Sequence, residues 1–219
     1  MAIPLGAAAE AAPGDGLATH RAVYDLQLKQ ATDRSGISGM YGRMVYEFDG
    51  SACDGYTTRF RLVTQVKSAT GSRMTDQQTT TYENLATRTF RFATRTFVNN
   101  NLDSEVRGTA HGNMDGITVD LEKPEPRHLT LPQSKFPTEH MLAVIHHAEA
   151  GDTFYQQRLF DGSEDADRSV LTTTIIGSRQ EPKASDTEAK KAGKFAGDPY
   201  WPISIAYFND KAKGDQVPE

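Results

Sequence analysis

Side chains alternate between apolar and polar at every second residue along four separate stretches of this chain. In RAVYDLQLKQ, residues 21–30, the even positions from Ala22 to Leu28 are apolar, whereas Asp25, Gln27 and Lys29 are polar. The same period recurs in RMVYEFDG (43–50), YTTRFRLVTQVK (56–67) and ITVDLEKP (117–124). Successive side chains of a β-strand point to opposite faces, so this pattern predicts antiparallel strands with one buried and one solvated face.

Turn sequences between these stretches support the same fold class. Asp-Gly pairs, which tolerate the positive φ of tight hairpins, occur at 49–50, 54–55, 115–116 and 161–162. Threonine and aromatic residues, which suit a pleated and half-buried surface, are frequent. The sequence predicts a mainly β protein: a long, strongly curved antiparallel sheet, open and barrel-like, in a single domain over residues 17–219.

One helix interrupts the β pattern. FPTEHMLAVIHHAEAGD has Pro137 at its start, Glu139 in its first turn and Gly151 just past its end, which predicts a helix over residues 137–150. One apolar stripe with helical spacing is formed by Met141, Val144, Ile145 and Ala148. We expect this stripe to pack against the concave side of the sheet.

Three segments read as something other than strand or helix. Residues 1–16 are rich in Ala, Gly and Pro and are interpreted as a flexible leader left after removal of a signal peptide. Residues 179–199 are polar and charged, which predicts a mobile loop. The chain ends in a turn-like sequence where a return strand is expected, so we expect further C-terminal strands to be missing.

Charge and hydropathy argue against two classes of function. The net charge is −5 and the sequence pI is about 5.7, so attraction to a phosphate backbone is weak and nucleic acid is not expected as a partner. Within residues 87–100, Phe90, Phe92 and Val98 fall on one face of a strand and Arg91 and Arg95 on the other, unlike a stacking platform for bases. The longest aliphatic run, residues 141–145, is far below the roughly 20 residues of a transmembrane helix.

Cys53 is the one cysteine of the chain and lies between two Asp-Gly turns. A catalytic nucleophile, a buried inert thiol and half of a disulfide whose partner is absent from this chain all remain open. No base with a protease-like signature accompanies the thiol, which disfavours catalysis, and the expectation of missing C-terminal strands favours the third alternative.

Histidines and acidic residues form no recognisable catalytic or metal-binding motif. His140 and His147 share a helix face and are interpreted as ordinary surface or cap-proximal histidines. The acidic segment 161–169 resembles a calcium loop, but Ala166 and Thr172 replace its required Gly and Glu, so a solvated hairpin loop is favoured. We expect no enzymatic activity, no cofactor and no metal.

Taken together, several stretches resemble the EipB-like family of periplasmic envelope-integrity proteins over residues 17–208. They are THRAVYDLQLKQATDRSGISGMYGRMVYEFDGSACDGYTTRFRLVTQ, GITVDLEKP, LPQSKFPTEHMLAVIHHAEAGDTFYQQRLFDGSEDADRS and YWPISIAYF. The resemblance implies a β-spiral with one prominent helix, export to the periplasm of a Gram-negative bacterium, a TPR-repeat partner and no enzymatic activity. It also implies a disulfide from the position of Cys53 to a C-terminal cysteine that this chain lacks, which would leave Cys53 a free thiol here.

An open curved sheet leaves a groove, and apolar grooves bind hydrophobic ligands or partner segments. The candidate lining residues are Tyr24, Leu26, Tyr46, Phe60, Phe90, Phe92 and Met141. The preferred hypothesis is a non-enzymatic periplasmic protein that supports envelope integrity by binding a partner protein, or a hydrophobic small molecule or lipid. Alternatives are a lipid or lipoprotein carrier, a scaffold that grips its partner by strand addition, and an enzyme acting on envelope polymers, which would need an acid–base pair.

Overall fold

The computed structural model describes residues 17–183, 185–187 and 189–209. Within these residues the first eight strands form one antiparallel sheet in which every strand pairs with the next along the chain. They are β1 (His20–Gln27), β2 (Ile37–Ser51), β3 (Gly55–Ser68), β4 (Gly71–Asn84), β5 (Thr89–Val98), β6 (Asn101–Gly112), β7 (Ile117–Lys123) and β8 (Arg127–Leu131). In this part of the chain β1 and β8 each have one strand neighbour, so the sheet is not closed.

A helix and a second, smaller sheet follow the large one. They comprise α1 (Pro137–Glu149), β9 (Phe154–Leu159), β10 (Val170–Ile176) and β11 (Ile203–Asn209), and the strand order is β11-β10-β9. Short 3-10 helices lie at Asp33–Ser35, Ala189–Lys191 and Gly193–Phe195. Lys135, in the segment between β8 and α1, pairs with the end of β9, because its N–H donates to Arg158 O at 2.9 Å and its carbonyl accepts from Phe160 N at 2.9 Å.

The strand period sorts the side chains of the large sheet onto two faces. We call the face that carries Phe90 and Phe92 the inner face, and the register places Tyr56 of β3 and Glu83 of β4 on it as well. The outer face carries cross-strand ion pairs such as Arg61–Asp76 and Arg95–Glu105, at 2.8 and 3.0 Å. The arginines of these pairs are exposed, so each pair adds little to stability but keeps that face polar.

Four phenylalanine rings close one half of the inner face. Phe90 of β5 stacks on Phe136 with 5.3 Å between ring centroids, and Phe160 meets Phe92 edge-on at 5.7 Å. The buried cluster around them is Phe90, Phe92, Val106, Ala110, Ile117, Val119, Leu121, Phe136, Phe160 and Ala166. The segment between β9 and β10 therefore contributes core, and the expectation of a solvated loop at 161–169 is wrong for Ala166, which is 1% exposed.

Helix α1 has the predicted position, but the face that it buries differs from the prediction. Its buried residues are Thr138, His140, Val144 and Ala148, whereas Ile145 is 37% exposed. The helix packs against β9 and β10 through His140, which turns the buried stripe away from Ile145. Of the two interpretations offered for His140, the surface one is wrong because the residue is buried, whereas its place four residues after the N-cap Phe136 fits the cap-proximal one.

Candidate ligand-binding face

The half of the inner face that β1–β3 carry is apolar and only partly covered. The register aligns Tyr24, Met44 and Leu62 in one row across the three strands. A second row contains Ala22, Tyr46 and Phe60. We call these two rows, together with Leu26, the open apolar patch.

Exposure separates this patch from the aromatic core. Tyr24 is 50% exposed, and the side chains of Leu26, Met44, Tyr46 and Phe60 are half-buried. The buried cluster, as far as the described residues show, draws on β5–β7 and the segments after β8 and β9, and includes none of the patch. The inner face is therefore closed over β5–β7 and accessible at the open apolar patch.

A strip of hydroxyl and amide side chains borders the patch. The inner-face neighbours of Leu62 and Phe60 on β4 are Gln77 and Thr79, and Thr79 Oγ1 lies 3.0 Å from Thr94 Oγ1 of β5. These groups can pair with a polar ligand atom or with water at the rim of the patch. An amphipathic molecule would thus meet apolar and hydrogen-bonding surface side by side.

Aromatic packing closes one end of the patch. Phe48 and Tyr56 stack with 5.1 Å between ring centroids, and each is 2% exposed. His20 lies against Tyr46 and Phe48 at 5.6 and 5.8 Å. The pKa of the Tyr46 phenol is raised, because burial raises it more than a hydrogen bond with Thr58 lowers it.

The structure divides the seven lining residues that the sequence suggested. Tyr24, Leu26, Tyr46 and Phe60 lie together on the open apolar patch. Phe90 and Phe92 instead lie in the closed core and offer no surface to a ligand. Met141 lies on α1 and is half-buried.

Met44 and Leu62 complete the patch and were missed as lining residues. Both occupy even positions of their strands, the face that the alternation marks as apolar. The two-residue alternation identified the apolar face of each strand. It did not indicate which part of that face is covered by other elements of the fold.

Cys53 is a free, exposed thiol in the turn between β2 and β3. The interpretation as a buried inert thiol is therefore wrong. The turn is held by Ser51 Oγ, which donates to Asp54 Oδ2 at 2.8 Å. A disulfide to a cysteine outside this chain stays a prediction.

The two buried ionisable groups nearest the helix are engaged in structural hydrogen bonds. Glu83 accepts from the N–H groups of Thr138 and Glu139 at 2.7 and 2.9 Å, which caps the start of α1. The pKa of the Glu83 carboxyl is raised, because burial raises it more than these two hydrogen bonds lower it. Because both carboxylate oxygens are occupied, Glu83 is poorly placed to act as a base.

His140 is fixed in one tautomer by Thr172. Thr172 Oγ1 donates its single hydrogen to Gln157 O at 2.7 Å, so His140 Nε2, 2.9 Å away, must carry the hydrogen of their shared bond. Burial lowers the pKa of the His140 imidazole, and the charge of Lys135 lowers it further. Over the described ranges, no group of three or more His, Cys, Asp or Glu residues could hold a metal ion.

Comparison with known proteins decides the family. A family model described as EipB-like matches residues 11–219. The chain belongs to the EipB-like family. A curated relative, the cell envelope integrity protein EipB of Brucella abortus (strain 2308), is 51% identical over 212 residues, which are 96% of this chain and 75% of the relative.

A solved structure supports the fold of this EipB-like protein. A beta-barrel-like protein of a domain of unknown function from Brucella abortus matches with a TM-score of 0.84 and 51% identity, covering 90% of this chain and 84% of that chain. The prediction of a mainly β, barrel-like but unclosed antiparallel sheet with one prominent helix is thereby confirmed.

Proposed function

We propose that this protein supports the integrity of the cell envelope from the periplasm, without catalysis, by holding the apolar part of an amphipathic ligand on the open apolar patch. The envelope role is supported by the 51% identical relative, which is named for it. The patch is the observation that carries the binding hypothesis.

An acyl chain is the ligand chemistry that fits the patch best. Each methylene removed from water contributes about 0.8 kcal/mol, so a chain lying across two rows of apolar side chains gains several kcal/mol. The chain would follow the row from Tyr24 to Leu62, and its polar head would lie beside Gln77 and Thr79. A lipid, or the lipid anchor of a lipoprotein, has both parts.

No helix in the described part of the chain has the length and apolarity to cross a membrane. The periplasmic location belongs to the proposal, and fractionation of cells that carry a tagged full-length gene would test it.

A protein partner is the second candidate, and β1 is the observation that favours it. Within the described residues β1 pairs on one side with β2, so its outer edge presents N–H and C=O groups that an added strand can bind. Such an edge would dock an extended segment of a partner, including one that precedes or follows TPR repeats.

Two neighbouring substitutions test the ligand hypothesis. Tyr24 and Val23 are adjacent, 50% and 48% exposed, and point to opposite faces of β1. Tyr24→Glu introduces a charge into the open apolar patch, whereas Val23→Glu places the same charge on the outer face. We expect Tyr24→Glu to weaken binding of a fluorescent C16 fatty acid at least about tenfold, because a buried charge costs well over 1.4 kcal/mol.

Val23→Glu should bind the probe like the parent protein. Equal affinity of all three proteins would exclude the patch as the ligand site. The parent protein could instead fail to bind the fatty acid saturably and bind an extended peptide through the edge of β1. That result would favour the β1 edge as the binding site.

A further inference from the structure

A second groove lies at the C-terminal end of α1, away from the open apolar patch. Its volume is about 510 Å³, which falls within the range of roughly 300–1,000 Å³ typical of small-molecule sites. The side chains that give it chemical character are Glu149, Asp152, Thr153, Ser178, Arg179 and Trp201. None of them belongs to β1–β3, so an occupant here would be independent of the ligand proposed above.

Backbone hydrogen bonds on both sides of Trp201 hold the part of the chain that gives this groove its aromatic residue. Gly177 N donates to Pro202 O at 2.8 Å, and Gln180 and Tyr200 exchange two N–H···O bonds at 2.8 and 3.0 Å. Trp201 is held between these pairs and is partly exposed. The backbone that carries the indole is therefore fixed on both sides.

The charged groups of the groove are also held in place. The Arg179 guanidinium lies 6.0 Å from the centre of the Trp201 ring and donates to Glu181 Oε1 at 2.7 Å. Asp152 Oδ2 lies 2.7 Å from His147 Nδ1. Glu149 is exposed, and its carboxylate has no hydrogen bond or ion pair to the described part of the chain.

This mixture of groups discriminates between ligand classes. An anion would meet two carboxylates and the negative end of the α1 dipole. A cation would be repelled by the positive charge of the Arg179 guanidinium, which lies 6.0 Å from the centre of the Trp201 ring. A wholly apolar molecule would strip water from three charged side chains without replacing their hydrogen bonds.

A sugar ring satisfies all of these groups at once. Its hydroxyls can donate to carboxylates and accept from a guanidinium, and its C–H face can lie on an aromatic ring. We propose that this groove binds a neutral saccharide, with one sugar ring against Trp201 and its hydroxyls paired with Glu149, Asp152 and Arg179.

Trp201 is the one tryptophan of the chain and therefore reports on its own site. Chitotetraose and maltotetraose, two neutral oligosaccharides, would be titrated into the protein and followed by Trp emission and by calorimetry. We expect saturable binding of at least one of them, with a Kd on the order of 1 mM or tighter. No binding by either method would overturn the proposal.

A matched pair of variants locates the site. Glu149→Gln removes a carboxylate from the groove, and Glu125→Gln makes the same change at an exposed position between β7 and β8. We expect Glu149→Gln to weaken saccharide binding at least about fivefold and Glu125→Gln to leave it unchanged, with unaltered circular dichroism for both. Equal binding by the two variants, or competition by the C16 fatty acid, would contradict a separate saccharide groove.

Discussion

Glu83 shows how one buried side chain connects two parts of the fold. It lies on β4, is 2% exposed, and gives both carboxylate oxygens to the first turn of α1. Arg88 strengthens the same junction, since it donates to both oxygens of Glu139 at 2.8 and 3.2 Å. Neither contact could be predicted from the sequence, because the partners are more than 50 residues apart and follow no local period.

Glu83→Ala should destabilise the protein by about 2 kcal/mol. It leaves the N–H groups of Thr138 and Glu139 without their acceptor in a buried site, and relief from the cost of burying a carboxylate offsets part of the loss. Urea unfolding followed by circular dichroism measures the change. Glu125→Ala is the control and should stay within about 0.5 kcal/mol of the parent; an equally small effect of Glu83→Ala would refute the capping role.

His140 makes stability depend on pH. Its folded pKa is lowered, so below the ordinary value of 6.5 the unfolded chain binds more protons than the folded one. The free energy of unfolding should therefore decrease as pH falls from 7.5 through the folded pKa of His140. This loss has the opposite sign to the contribution of Glu83, whose raised pKa favours folding at low pH.

His140→Gln keeps an N–H donor near Thr172 but does not titrate, so its stability should fall less steeply over that pH range. Subtracting the two curves removes the contribution of Glu83, which both proteins share. His146, on the exposed side of the same helix, supplies the control His146→Gln. Parallel curves for the parent and His140→Gln would show that His140 titrates normally when folded.

At the scale of elements, the sequence predicted where strands and helix lie better than how they pack. Strand period and helix end signals are local, and β2, β3, β7 and α1 all appear where those signals placed them. The buried face of α1 differs because β9 and β10, which lie across it, were not part of the expected contact. The sequence also did not predict that the β9–β10 connection contributes to the core. Its acidic residues indicated a solvated loop, although Ala166 among them is buried.

Gly162 in that connection should be intolerant of a side chain. Its φ is +70°, and a Cβ would lie 2.5 Å from the ring of Phe92. Gly36 has a similar φ of +65° but open space around it. Gly162→Ala should therefore cost about 1–3 kcal/mol more than Gly36→Ala, the difference being overpacking rather than backbone strain.

Thermal and urea unfolding of the two alanine variants measure that difference. If both variants lost a similar free energy of unfolding, the β9–β10 connection would be able to move away from Phe92 at little cost. It would then not be tightly packed against the core.

At the scale of the whole molecule, alternation predicted a sheet with one apolar face, and this is what allowed the fold class to be predicted. It could not predict that Phe136 and Phe160 close the face over β5–β7 and leave it accessible at the open apolar patch. That division depends on which later segments fold back onto the sheet. Because the sequence does not show this division, it predicts Phe90 and Phe92 as lining residues although both lie in the core.

The methionines of the sheet offer the most direct test of ligand binding at the open apolar patch. Met44 lies on the inner face, Met74 on the outer face, and both are half-buried. Methyl NMR of protein labelled at methionine, titrated with a C16 fatty acid below its micelle concentration, would follow both at once. The account predicts saturable shifts of Met44 with Met74 unchanged; shifts of Met74 alone, or of neither methyl, would contradict it.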